Sequence, residues 1–264
     1  MNSRNDFKEI HNLNLEIYNT DKISNKYLEK YAPFLAPWVG KKIALLELGI
    51  LKGGSLQLWN DYFPASRIAG IDLNIPEKFT PAENIRMYKG SQADTKLLSD
   101  VAKENAPNGF DIIIDDASHV GELTKIAFWH LFENHLKPGG LYVIEDWGTG
   151  YWNDWPDGKS LDLNSFSQHP NEDNSFWTKI LKTIRRALVK FTPNSLTAVV
   201  PVISAAMPCH SYGMVGFIKQ LIDEQAASDV TQKIISGKAE RESKFKEIVI
   251  TPSVVFIIKA DERN

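Results

Sequence analysis

Between residues 43 and 146 the chain alternates short apolar runs with segments of helical period. Residues 43–48, 67–72, 85–89, 110–115 and 141–144 read as strands, since each run is short, apolar and flanked by turn-forming residues. Residues 55–61, 93–104 and 122–132 read as helices, the last with Ile126, Trp129, His130 and Leu131 facing inward. Lys137-Pro138-Gly139-Gly140 reads as a turn. Near-continuous apolar strands alternating with helices predict an α/β fold, a parallel sheet covered by helices on both faces. Its crossovers are right-handed. Ligands then bind beyond the carboxyl ends of the strands, where the strand order reverses.

The flanking regions differ. Residues 1–23 are polar and mixed and predict a loose arm. A helix follows, with Ser24 as its cap and Tyr27, Tyr31, Phe34, Leu35 and Trp38 on one face. Residues 1–40 thus form an N-terminal helical segment ahead of a domain over 41–264. Residues 147–176 are polar, carry Trp147, Tyr151, Trp152 and Trp155, and predict a loop that covers the substrate. Beyond it the pattern predicts a helix over 177–188, strands over 196–206 and 214–219 as a hairpin, and helix through most of 221–246. The last predicted element is a strand over 248–259, with Pro252 marking an edge or bulge.

Composition narrows the classes. The 264 residues are 43% hydrophobic, and 33 acidic against 30 basic residues give a net charge of -3. That suffices for one large core and lacks the basic footprint of a nucleic-acid binder, so no nucleic-acid partner is expected. The lone Cys209 cannot form an internal disulfide. No apolar run reaches transmembrane length, and the polar start lacks a secretory h-region. A cytoplasmic protein without a membrane partner is the expectation.

The chemistry gathers at strand ends. Glu47-Leu48-Gly49-Ile50-Leu51-Lys52-Gly53-Gly54-Ser55 joins a strand to a helix. Gly49 permits a tight turn, Gly53 and Gly54 permit close approach of a ligand, and the free amides of the helix start suit a polar group. Asp72 ends the next strand, where a carboxylate can accept hydrogen bonds from both hydroxyls of a ribose. Leu51 stands where a dinucleotide fingerprint has its second glycine, which favours a nucleoside ligand without pyrophosphate. Glu47 would repel a pyrophosphate and suits an amino-acid ammonium group. Gln92 or Asp94 is placed to read an adenine rim, with an N-cap role open for Ser91 or Asp94.

Asp115-Asp116 and Glu145-Asp146 end two adjacent strands, which lie about 4.8 Å apart. Like charges so close repel, and a divalent cation resolves the repulsion; magnesium suits an oxygen-rich set. Asp116, Glu145 and Asp146 are the candidate ligands, and Asp115 faces the cofactor or holds the loop. His119, just before a helix, is the candidate proton acceptor.

These stretches resemble a known family. Thr20-Asp21-Lys22, Tyr27 with Tyr31, the 46–56 turn, Asp61-Tyr62-Phe63-Pro64, Gly70-Ile71-Asp72, Asp115 through His119 and 136–146 are similar to the metal-dependent sugar O-methyltransferases of macrolide tailoring. The same stretches are similar to the broader rhamnosyl O-methyltransferase and cephalosporin-hydroxylase-like group. The resemblance implies a Rossmann-like class I fold that uses S-adenosyl-L-methionine, with a seven-stranded, mostly parallel sheet containing an antiparallel strand. It implies Mg2+ on Asp116, Glu145 and Asp146, and His119 as base with Asp116 beside it. It implies that Glu47, Gly49, Ser55, Asp72, Gln92 and Asp115 line the cofactor site. It also implies a sugar or glycoside acceptor and a homo-oligomer in some members; the loop's own aromatics leave two roles open, Trp152 or Trp155 stacking on a sugar ring or pinning the loop to the core. Ala117 stands where the family often has glycine. The alternatives are a hydroxylase or oxidoreductase on the same scaffold, or a nucleotide-binding protein without activity.

Overall fold

The computed structural model describes residues 13–160, 210–232 and 237–261. Its strands are β1 (Ala44–Leu48), β2 (Arg67–Asp72), β3 (Ile85–Lys89), β4 (Phe110–Asp115), β5 (Leu136–Glu145), β6 (Phe245–Ile250) and β7 (Val254–Lys259). They form one seven-stranded sheet in the order β3-β2-β1-β4-β5-β7-β6. β1 to β5 pair in parallel, and β7 lies antiparallel between β5 and β6. This is the Rossmann-like α/β arrangement expected. The order reverses between β1 and β4, so the loops after these two strands part and leave a crevice.

The helices are α1 (Asp21–Ser24), α2 (Tyr27–Leu35), α3 (Gly54–Tyr62), α4 (Thr95–Asn105), α5 (Gly121–Asn134), α6 (Gly213–Gln225) and α7 (Ala227–Val230). Successive strand residues point to opposite faces, and this divides the core in two. Leu46, Leu48, Ile113, Tyr142 and Ile144 pack against α4, α5 and α6. Leu45, Ile112, Ile114, Leu141 and Val143 pack against α2 and α3. Each fully buried Leu or Ile contributes about 2 kcal/mol of hydrophobic stabilisation. Among the described residues no helix is long and apolar enough to cross a membrane.

Several elements differ from expectation. The arm over 13–23 is ordered: Leu15 and Tyr18 are buried, and the Tyr18 hydroxyl donates to Asp61 at 2.8 Å. Ser24 ends a separate short helix, α1, which Thr20 caps through its hydroxyl, and the helix carrying Tyr27 and Tyr31 starts from Lys26 without a side-chain cap. On α5 the inward residues are Ala127, Phe128 and Leu131, while Ile126 is exposed. Lys137-Pro138-Gly139-Gly140 lies within β5, where the pairing with β4 shifts register. Residues 214–219 are helical, and helix ends at Val230. Residues 245–259 form two strands around a turn at Pro252 and Ser253, the latter at φ 69. The expected elements over 177–188 and 196–206 fall outside the described residues.

Candidate active site

Side-chain alternation dictates the geometry of the acidic rim. Glu47 follows Leu45 onto the face covered by α2, and Glu145 follows Val143 onto the same face. Asp115 follows Ile113 to the opposite face. All three are buried to within 2% of complete. Asp116 and Asp146 sit one residue beyond, where the chain leaves the sheet and turns toward the crevice.

The inner half of this rim is filled from the start of the chain. Lys22, fully buried, places its ammonium 2.5 Å from Asp116, 3.0 Å from Glu145 and 3.3 Å from Glu47. The Tyr31 hydroxyl donates to Glu145, and the Tyr27 hydroxyl donates to Asp146. Burial works to lower the Lys22 pKa, but attraction to Asp116, Glu145 and Glu47 outweighs it and holds the ammonium well above its ordinary value. One ammonium neutralises one carboxylate, so burial and the Asp116 charge still push Glu145 well up, and burial raises Glu47. Burial and the Asp116 charge likewise raise Asp115 to about 7. Asp146 is raised mainly by burial.

The outer half faces the crevice. His119 Nε2 lies 3.8 Å from Asp116 Oδ1 and 3.8 Å from Asp146 Oδ2. Ligand atoms of Asp116, His119 and Asp146 all fall within 4.8 Å of one another. His119 and Asp146 adopt left-handed backbone, φ 51 and 53. Each such non-glycine residue costs about 1–2 kcal/mol, and such strain concentrates at functional sites. Close packing enforces the turn after β4: a Cβ on Gly49 (φ 94) would stand 2.0 Å from the Asp116 carbonyl oxygen. A hard oxygen-seeking cation suits two adjacent carboxylates here, with the imidazole beside them as a proton acceptor.

The crevice, a cleft of about 420 Å³, runs from this rim along the glycine-rich turn to Asp72 and Gln92. Gly49, Ser55, Asp72, Gln92, Asp116, His119, Asp146 and Trp155 border it, whereas Glu47, Gly53, Asp94 and Asp115 do not. Asp72 is turned onto the turn itself, accepting from the amides of Ile50 at 2.7 Å and Leu51 at 3.1 Å. Gln92 donates to Asp115 at 3.1 Å and accepts from the Ser118 amide at 2.9 Å, which fixes the segment leading to His119. Asp94 caps α4 through the Leu97 amide at 3.0 Å. Phe79 covers Gly53.

The aromatic residues after β5 part company. Trp147 donates to the Thr251 carbonyl at 2.9 Å and packs on the core. Tyr151 meets His210 edge to face, and Trp152 is exposed. Trp155 sets its ring edge-on to His119, centroids 5.1 Å apart. Residues 147–151 and 158–160 form short 3-10 turns. Asp157 anchors the segment: one carboxylate oxygen accepts from the Gly121 amide at 2.8 Å and the Met214 amide at 2.7 Å, which start α5 and α6. Asp157, Lys22, Tyr27 and Tyr31 carry no site assignment from sequence reasoning. The last three belong to the resembling stretches, which was the available signal; Asp157 had none.

No family model matches the chain. By fold, the chain is similar to MycE methyltransferase from the mycinamycin biosynthetic pathway in complex with Mg and SAH, TM-score 0.60 at 23% identity over 89% of this chain and 50% of that one. In sequence it is similar to mycinamicin VI 2''-O-methyltransferase of Micromonospora griseorubida, 38% identical over 119 residues, 42% of this chain and 29% of that protein. The 8-demethyl-8-(2-methoxy-alpha-L-rhamnosyl)-tetracenomycin-C 3'-O-methyltransferase of Streptomyces olivaceus is 43% identical over 116 residues, 41% of this chain and 29% of that protein. The expected resemblance to sugar O-methyltransferases is thus present, and the chain spans under a third of the length of these curated relatives.

Proposed function

We propose that the protein transfers a methyl group from S-adenosyl-L-methionine to a hydroxyl of a sugar or glycosylated small molecule, with Mg2+ at the acidic rim. The carrying observation is that Asp116 and Asp146 converge on His119 at the mouth of the glycine-turn cleft. The similar sugar O-methyltransferases, and the fold shared with a methyltransferase bound to Mg and SAH, support the same reading.

Asp116 and Asp146 are the carboxylates that would hold the ion, with the imidazole of His119 beside them. The oxygens of Asp116 and Asp146 already face His119, while Glu145 is turned to Lys22 and Tyr31. When bound, the donor supplies a methyl group whose S–C bond breaks as the O–C bond forms, and the ion supplies Lewis acidity at the hydroxyl. His119 Nε2 takes the hydroxyl proton. Gly49, Ser55 and Asp72 border the donor side, and Gln92 holds the loop that aims His119. Trp155 walls the acceptor side and fixes the imidazole plane. Trp152 is exposed beyond it, available to an acceptor ring; Trp147 and Tyr151 brace this wall from behind. Alignment supplies much of the rate in such a reaction.

The test is incubation with methyl-labelled S-adenosyl-L-methionine, Mg2+ and a panel of glycosides, with the label located by mass spectrometry. We expect label on a sugar oxygen, loss of transfer in EDTA and recovery with Mg2+. Full transfer by rigorously metal-free protein removes the metal from the reading, and absence of transfer to every glycoside removes the acceptor class.

A further inference from the structure

Lys22 needs an explanation that the proposed reaction does not give. A lysine almost never lies fully buried unless paired, because its ammonium must be stripped of water. Here one ammonium is ringed by three carboxylates: it donates to Asp116 at 2.5 Å and Glu145 at 3.1 Å and forms an ion pair with Glu47 at 3.3 Å. Glu47 is the penultimate residue of β1, Asp116 follows β4 and Glu145 ends β5, so the ammonium bridges the carboxyl ends of three neighbouring strands. Glu47 meets the ammonium through the ion pair, with the Ser55 and Trp59 side chains beside its carboxylate. Asp116 is shared, with Oδ2 on the ammonium and Oδ1 toward His119 and the cleft.

We infer that Lys22 is a built-in cation occupying the inner half of the rim in the place of a second divalent ion, so that the site takes one ion and presents Asp116 Oδ1 to it. The inference rests on the metal reading above and deepens it. Lys22 touches no reacting atom and is a positioning residue. Without its ammonium, Glu47, Glu145 and Asp116 Oδ2 face one another with no counter-charge in a place water does not reach. A dication entering the space vacated by the side chain would restore the balance. Simple loss of packing predicts no gain of an ion.

The experiment counts Mn2+ equivalents per chain by equilibrium dialysis and electron paramagnetic resonance, without donor or acceptor. We expect one equivalent for the wild type, two for Lys22→Ala, and one for Lys22→Arg, which keeps the charge. One equivalent in folded Lys22→Ala, at wild-type affinity, would overturn the inference. If Lys22→Ala is unfolded, circular dichroism is followed during Mn2+ addition. Folding driven by Mn2+ with two equivalents bound supports the inference, and folding with one equivalent, or a chain that stays unfolded at saturating Mn2+, overturns it. No Mn2+ on the wild type sinks the metal reading, and a single ion then gained by Lys22→Ala overturns the inference too, since it places the ammonium in the seat of the only ion. One ion on the wild type without a second on Lys22→Ala overturns the inference alone.

Discussion

Replacing Asp157 by alanine should loosen the acceptor wall while sparing the donor side. Its carboxylate oxygen accepts two backbone amides, at 2.8 and 2.7 Å, from the first turns of α5 and α6. A hydrogen bond to a charged group contributes about 1.5–3 kcal/mol, and loss of an N-cap costs about 0.5–2. Asp157 is only half-buried, so water recovers part of the loss, and the lower end applies: about 2–3 kcal/mol for both bonds together. In a domain of this size that is a fall in Tm of about 5–10 °C. Asp157 also holds the segment in which the Lys159 amide binds the Trp155 carbonyl at 3.0 Å, and so it sets where Trp155 meets His119. A displacement of about 1 Å at such a contact costs up to about 100-fold in rate. The assays are thermal unfolding, steady-state kinetics against the acceptor, and donor binding by calorimetry. We expect acceptor kcat/KM to fall by about 10–100-fold, donor Kd to stay within about twofold, and Asp157→Asn to lie between. A Tm within about 1 °C of wild type together with unchanged acceptor kcat/KM would refute the anchoring role.

Other substitutions probe separate parts of the site. His119→Asn, chosen because asparagine tolerates φ 51, should lower kcat by about 100–10,000-fold with donor Kd unchanged; a wild-type kcat removes His119 from proton transfer. Gly49→Ala must push the Asp116 backbone back by about 1 Å, since the new Cβ meets its carbonyl oxygen at 2.0 Å. It should weaken Mn2+ binding at least about tenfold even without donor, and unchanged Mn2+ affinity excludes this route. Glu224 is held below the ordinary carboxylate value: burial opposes this, but the two-pronged contact with Arg241 prevails. A lowered folded pKa contributes stability above the unfolded value and loses it as pH falls. Glu224→Gln should therefore be destabilised by about 1 kcal/mol at pH 7, with the difference closing below about pH 4. A difference that persists at pH 3 would show a packing effect instead.

The parallel half of the fold was legible because its signals agree. Apolar runs such as Phe110 to Asp115 are short, lie between turn residues, and end in the carboxylates that mark the ligand edge. The α6 segment was not legible, because Met214-Val215-Gly216-Phe217-Ile218 is a continuous apolar run that suits strand and buried helix alike. Burial against the sheet settles it as helix. The hairpin over 245–259 was hidden because strand residues fill both sides of Pro252. At the site, sequence spacing brought Asp116, His119 and Asp146 to one place. It could not show that Glu145 turns the other way, since that depends on which face of β5 meets α2. Lys22 was invisible as a site residue for a simpler reason: nothing local distinguishes a lysine destined for burial from one destined for solvent.

The stitching of the chain's first helices to the sheet edge has a consequence for biosynthesis. Lys22, Tyr27 and Tyr31 are separated from Glu145 and Asp146 by between 114 and 123 residues. They are made before Glu145 and Asp146 and meet these two only after the fifth strand has emerged. Until then Tyr27 and Tyr31 have no carboxylate to donate to, and the lysine meets only Glu47 and Asp116. The acidic pocket is thus closed by groups more than a hundred positions apart, and its completion waits on the strand that carries Glu145.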